Sequence, residues 1–111
     1  MSVSFFVSGD ADELNVSNSN ARDLLSWLGY HQAAAGDLYG ELPARDLAAR
    51  CRRRLWPEVR NLDPAIAPVV ERLPGEPLFF QCGRPEGYLR DRTEQLLALA
   101  ERAGDGVVHY S

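Results

Sequence analysis

LFFQCGRPEGYLRDRTEQLLALAERAGDGVVHY, residues 78–110, is the stretch on which the fold turns. Leu78 to Cys82 is an apolar, aromatic run of strand length. Gly83-Arg84-Pro85 then bends the chain. From about Glu86 to Ala103, Leu89, Thr93, Leu96, Leu97, Ala100 and Ala103 recur at helical spacing. Gly104-Asp105-Gly106 stops that helix, and Val107 to Tyr110 reads as a closing strand. A strand, a helix of about five turns and a second strand predict a right-handed crossover whose strands lie parallel.

Working outward, Val3, Phe5 and Val7 alternate with Ser4, Phe6 and Ser8, which predicts a strand with a buried face. Gly9 to Asn15 is acidic and turn-rich and reads as a loop. Ser17-Asn18-Ser19-Asn20 is dense in helix-capping residue types. Ala21, Leu24, Leu25 and Leu28 continue at helical spacing until Gly29. Tyr30 to Leu42 reads as a loop with a short extended piece around Leu38 to Gly40. Pro43 suits a helix first turn, and Ala44, Leu47, Ala48, Cys51 and Leu55 form the stripe of a second helix, closed by Pro57. Arg45, Arg50, Arg52, Arg53 and Arg54 lie mostly off that stripe. Glu58 to Pro77, with Pro64, Pro68, Pro74 and Pro77, reads as a long surface loop.

The order β-α-α-β-α-β predicts an α/β (α+β) fold. It is a small two-layer domain over residues 1–111, with about three strands covered by three helices. Phe5, Val7, Leu24, Leu28, Leu47, Cys51, Phe80, Leu89, Leu96, Leu97 and Val107 are its expected core.

Composition narrows the function classes. The chain is 45% hydrophobic and 25% charged, ordinary for a folded domain and unlike a disordered one. All 12 basic residues are arginine, as high-GC codon usage would give. A net charge of -4 argues against a general nucleic-acid binder. No run approaches the roughly 20 apolar residues of a membrane span. Met1 to Gly9 lacks the basic and apolar regions of a signal peptide, so a cytoplasmic protein is expected. Cys51 and Cys82 then read as buried free thiols.

Three places could carry chemistry. At the turn Gly83 to Tyr88 a strand ends and a helix begins, so free helix amides and the Arg84 guanidinium could hold a nucleotide or other anion. Gly83, Arg84, Gly87 and Tyr88 are the candidates, with Tyr88 able to stack on a ring; an ordinary turn with a solvated arginine explains the same residues. Asn18, Ser19 and Asn20 offer more polar groups than one helix cap uses, although a cap plus an Asx-type turn accounts for them. The arginine run with Trp56 beside it could dock an acidic partner, or be a solvated face complementing its helix dipole. Trp27, Trp56 and Arg53 are the candidate interface residues, because large aromatics off a core stripe often anchor interfaces. His31 lies in a loop, and His109 could approach Cys82 only if their strands are neighbours. No catalytic residue, metal site or cofactor is assigned, since neither the cysteines nor the histidines have paired zinc-ligand spacings.

CGRPEGYLRDRTEQLLALAERAGDGVVHYS (residues 82–111) and LNVSNSNARDLLSWLG (residues 14–29) resemble a family of small uncharacterised proteins from actinobacteria and their bacteriophages. LPARDLAARCRRRLWPE (residues 42–58) matches more loosely. The resemblance implies a phage or prophage accessory setting in a high-GC host, and it implies no mechanism.

Two functions are therefore expected in order, with a small hydrolase or transferase a distant third. The first is a non-enzymatic protein that binds a protein partner or itself as a homodimer. The alternative is a small-ligand binder that holds a nucleotide or other anion at the Gly83–Tyr88 turn.

Overall fold

The computed structural model describes residues 2–56, 63–67, 69–71, 79–81 and 83–111, the runs 69–71 and 79–81 by their backbone. The chain is mixed α/β. It runs β1 (Ser2–Phe6), β2 (Glu13–Ser17), α1 (Asn18–Trp27), α2 (His31–Ala35), β3 (Gly40–Pro43), α3 (Ala44–Leu55), β4 (Val69–Glu71), β5 (Phe79–Gln81), α4 (Tyr88–Ala103) and β6 (Val107–Tyr110).

β2, β1, β6 and β3 form one antiparallel sheet in that order. Alternation puts Val3 and Phe5, Leu14 and Val16, Leu42, and Val108 and Tyr110 on its buried face. α1, α3 and α4 cover that face with Leu24, Leu25, Leu47, Cys51, Leu96 and Leu99, and α3 lies along α4. Phe5 and Tyr110 stack at the centre, 5.8 Å between ring centroids. The Tyr110 hydroxyl would lie 3.0 Å from a Cβ at position 40, which is why a glycine opens β3.

The predicted parallel crossover is corrected. The strand preceding α4 is not in the main sheet. β5 pairs antiparallel with β4 in a separate ribbon, and the same register continues to Ile66 and Arg84. β6 instead fills the gap between β1 and β3, antiparallel to both.

Other expectations shift as well. Gly9 to Asn15 is not all loop, because β2 starts at Glu13, with Leu14 and Val16 turned into the core. Tyr30 to Leu42 holds α2 and the start of β3. The stretch Glu58 to Pro77 contains β4 and the buried Asp63, so it is not wholly a surface loop. The long helix begins at Tyr88 rather than about Glu86.

In the expected core, Phe5, Leu24, Leu28, Leu47, Cys51, Leu89 and Leu96 are buried. Val7, Leu97 and Val107 are half-buried, because Leu99, Val108 and Tyr110 take the inward positions. The Phe80 side chain lies outside the described residues.

Candidate functional site

The Gly83–Tyr88 turn and the start of α1 do come together. Arg84 Nη1 donates to Asn20 Oδ1 at 3.3 Å and to Asp23 Oδ2 at 2.6 Å. Its side chain is only 8% exposed, so the guanidinium is neither in solvent nor open to a ligand on that side. Asn20 is buried against it. The α1 cap is made by Ser17, whose Oγ accepts from the Asn20 amide at 3.3 Å. Ser19 touches Ser17 hydroxyl to hydroxyl at 3.5 Å, and Asn18 Oδ1 is buried without a hydrogen-bond partner among the described residues.

The amides at the start of α4 are partly taken from within the chain. Gly87, at a φ of 78° that suits glycine, donates its amide to the Asp63 carbonyl at 3.1 Å. The Tyr88 amide goes to Pro85 O at 3.2 Å, and the Arg90 amide to Asp63 Oδ2 at 2.9 Å. Asp63 thus occupies the place where a helix N-terminus would hold an external anion. The Tyr88 ring lies under Arg92, 4.7 Å from guanidinium carbon to centroid. Two carboxylates of the chain, Asp23 and Asp63, answer the two positive features of this turn.

A second surface is less self-satisfied. α3 carries its arginines outward. Arg45 pairs with Asp105 at 2.8 Å and Arg52 with Glu101 at 3.3 Å, both on the surface where such pairs contribute little. Arg50 stacks 4.3 Å over Tyr30 and reaches Asp46 at 2.8 Å and Leu28 O at 3.1 Å. Tyr30 donates to Asp46 at 2.6 Å, which holds the Asp46 carboxyl below its ordinary range; burial and that same carboxylate push the Tyr30 hydroxyl up.

Arg54 stacks 4.6 Å over Trp27 and donates from Nε to Trp27 O at 2.5 Å. Trp27 is therefore half-buried beneath an arginine and packs on the core. Arg53 is exposed and makes no hydrogen bond or ion pair among the described residues, although its charge helps lower Asp46. Trp56, just past the helix, is 81% exposed. Trp27, Leu28, Gly29, Arg50, Arg53 and Arg54 line a cleft of about 190 Å³. Trp56 is the candidate interface residue left in water, and Arg53 is its open charge.

The open face of the sheet holds a grouping that the sequence alone did not point to. His109 stacks on Phe6 at 5.3 Å. Its Nε2 is 3.2 Å from the Ser8 hydroxyl, and its Nδ1 is 3.6 Å from Glu41. The three residues are far apart in the chain and meet only because β6 lies between β1 and β3, so no local signal marks them. With Ser8 exposed and Glu41 61% exposed, the group lacks the desolvation on which nucleophilic catalysis relies.

Cys51 is a buried free thiol, and burial pushes it up to about 12, so it is unreactive in the folded state. Cys82 lies outside the described residues, as does any contact of His109 with it. Among the described residues no cluster of three or more His, Cys, Asp or Glu could hold a metal ion, and no helix is long and apolar enough to cross a membrane.

No protein-family model matches this chain, and neither a curated protein nor a solved structure matches it at a significant level.

Proposed function

We propose that this is a non-enzymatic accessory protein that works in the cytoplasm by binding an acidic segment of a protein partner. The setting is that of a phage or prophage gene in an actinobacterial host. One observation carries the reading: Trp56 stands 81% exposed at the end of an arginine-rich helix whose exposed Arg53 makes no hydrogen bond or ion pair among the described residues. An exposed tryptophan beside an open guanidinium has the composition of an interface anchor. The neighbouring cleft of about 190 Å³ is side-chain sized and lined by Arg50, Arg53 and Arg54, which favours a carboxylate-bearing insert. A protein suits this face better than nucleic acid, because the chain as a whole carries -4 and phosphate binding needs a broader basic surface.

The nucleotide or anion reading of the Gly83–Tyr88 turn is supported less well. Asp63 sits on the helix amides and Asp23 on Arg84, so a ligand would have to displace both.

Expression in an actinobacterial host, followed by mass spectrometry of what co-purifies, tests the proposal. A partner that is retained by the wild type and lost from both Trp56→Ala and Arg53→Glu supports it. An identical set of proteins with all three forms contradicts it.

A further inference from the structure

The main sheet ends in β3 on one side and β2 on the other. β3 carries Pro43, which has no N–H to offer, a common way of blunting an edge. β2 holds no proline, and its bonding direction follows from its neighbour. Ser4 exchanges both backbone bonds with Ser111, at 2.8 and 3.1 Å, on the β6 side. Val3 and Phe5 therefore bond toward β2, to Val16 and Leu14. The N–H and C=O of Asn15, between those two, face out of the sheet and meet no partner among the described residues. The Asn15 side chain turns away from α4 and bonds Ser2 and Ser4 at 3.1 and 3.0 Å. Leu14 and Val16 turn the opposite way, toward the helices.

Between this edge and α4 lies a groove of about 410 Å³, a volume ordinary for a binding cleft. Leu14, Ala98 and Leu99 give it an apolar lining, and Arg92 and Arg102 give it charge. The two arginines differ. Arg102 is answered by Asp10 at 2.6 Å and by Asp12 at 3.5 Å. Arg92 meets no carboxylate among the described residues. It stacks on Tyr88 and gives Nη1 to the neutral side chain of Gln95 at 2.7 Å. One unmatched positive charge thus stands beside an apolar wall and a strand edge with free main-chain groups.

The helix and the strand run antiparallel. Arg102, near the end of α4, reaches Asp12 just before β2, while Arg84, preceding α4, reaches Asn20 just after β2. Two residues of strand advance about as far as four of helix. Counted from Asp12 beside Arg102, Leu14 comes level with Ala98, and Val16 with the turn of α4 that carries Arg92.

We propose that this groove binds an extended peptide segment of a protein partner, added antiparallel to β2, in which an acidic residue is followed two positions later by an apolar one. The residue between them exchanges both main-chain bonds with Asn15. The two that flank it lie opposite Val16 and Leu14, so their side chains share the α4 side of the sheet. The first brings its carboxylate to Arg92, and the second lays its apolar side chain on Leu14, Ala98 and Leu99. Main-chain bonds would hold any extended chain, and the unmatched guanidinium selects an acidic one. Antiparallel addition is chosen because that ladder is the more stable per residue. This groove is separate from the Trp56 face, so either can fail without the other.

Backbone amide NMR of the full chain, titrated with a capped pentapeptide, tests the proposal. The probe has glutamate second, leucine fourth and threonine elsewhere. It is expected to bind at millimolar concentration or below and to move the Asn15 amide resonance downfield as that N–H gains an acceptor. Exchanging the glutamate for lysine, or N-methylating the central residue, should each weaken binding by about tenfold or more. Arg92→Glu should reverse the preference, so that the lysine probe binds the better of the two. Trp56→Ala should bind the probe like the wild type. No binding at millimolar probe, equal binding of the glutamate and lysine probes, full binding after N-methylation, a preference unmoved by Arg92→Glu, or binding lost in Trp56→Ala would each overturn the proposal. The two altered probes leave the protein untouched, so they decide the matter even if Arg92→Glu does not fold.

Discussion

Asp63 Oδ2 accepts the backbone amide of Arg90 at 2.9 Å, while the Asp63 carbonyl accepts that of Gly87 at 3.1 Å. One buried residue, 27 positions upstream of Arg90, thus caps the longest helix from outside its own sequence. On the opposite stem of the same ribbon, Arg84 ties to Asp23 of α1. The two stems are tied to two different helices by charged side chains, Asp63 to α4 and Arg84 to α1.

Asp63→Ala should therefore lower stability by about 1–2 kcal/mol, because it strands the Arg90 amide at a helix end. Asp63→Asn should cost less, since its amide oxygen can still accept. Urea unfolding of the three forms measures both. Equal stability of wild type and Asp63→Ala would remove Asp63 as the cap.

The same arrangement predicts that nucleotides and inorganic phosphate leave the melting temperature of the wild type unchanged. Their binding place at α4 is held by Asp63, and Arg84 is held by Asp23. A clear upward shift with any of these anions, abolished in Arg84→Ala, would reverse the order of the two functional readings.

Tyr30 and Asp46 make stability depend on pH at both extremes. The Asp46 carboxyl is held below its ordinary 3.8, first by the Tyr30 hydroxyl and then by Arg50. Its contribution is present above 3.8 and is lost as pH falls through the lowered value. Burial and the Asp46 carboxylate raise Tyr30 above 10.0, so its contribution is present below 10.0 and is lost as pH rises from there through the raised value. Tyr30→Phe should cost about 1 kcal/mol at neutral pH. The difference between the two proteins should shrink at both extremes. A difference constant from acid to alkali would contradict the buried Tyr30–Asp46 contact.

Leu96 lies fully buried on α4, where that helix meets the rest of the core. Leu96→Ala should cost about 2–5 kcal/mol, according to how far the site collapses. Chemical denaturation reads this directly, and a loss comparable to that of an exposed alanine substitution would contradict the packing described for α4.

α1, α3 and α4 were legible because their signals are local. Ala44, Leu47, Ala48 and Cys51 mark α3 at helical spacing; Gly29 and Gly104 stop α1 and α4 at positive φ. β2 was not legible, because only Leu14 and Val16 turn inward, and the acidic, turn-forming residues before them mask so short an alternation. Two adjacent valines left the facing of β6 ambiguous, and Tyr110 settled it inward. The antiparallel sheet rests on pairings of β6 with β1 and β3, which no local pattern encodes. For the turn, neither the meeting of Arg84 with the start of α1 nor the carboxylates that answer it carry a local signal: Asp23 lies 61 residues from Arg84, and Asp63 stands within a stretch that reads as surface loop.

The central claim, an acidic partner on the Trp56 face, is tested most directly by a titration followed through the two tryptophan indole N–H resonances. The probes are an acidic peptide and a basic peptide of equal length. The account predicts that the acidic peptide alone shifts the Trp56 resonance, that added salt weakens the effect, and that Arg53→Glu abolishes it. Equal shifts with both peptides, or a Trp56 resonance that moves with neither, would contradict it.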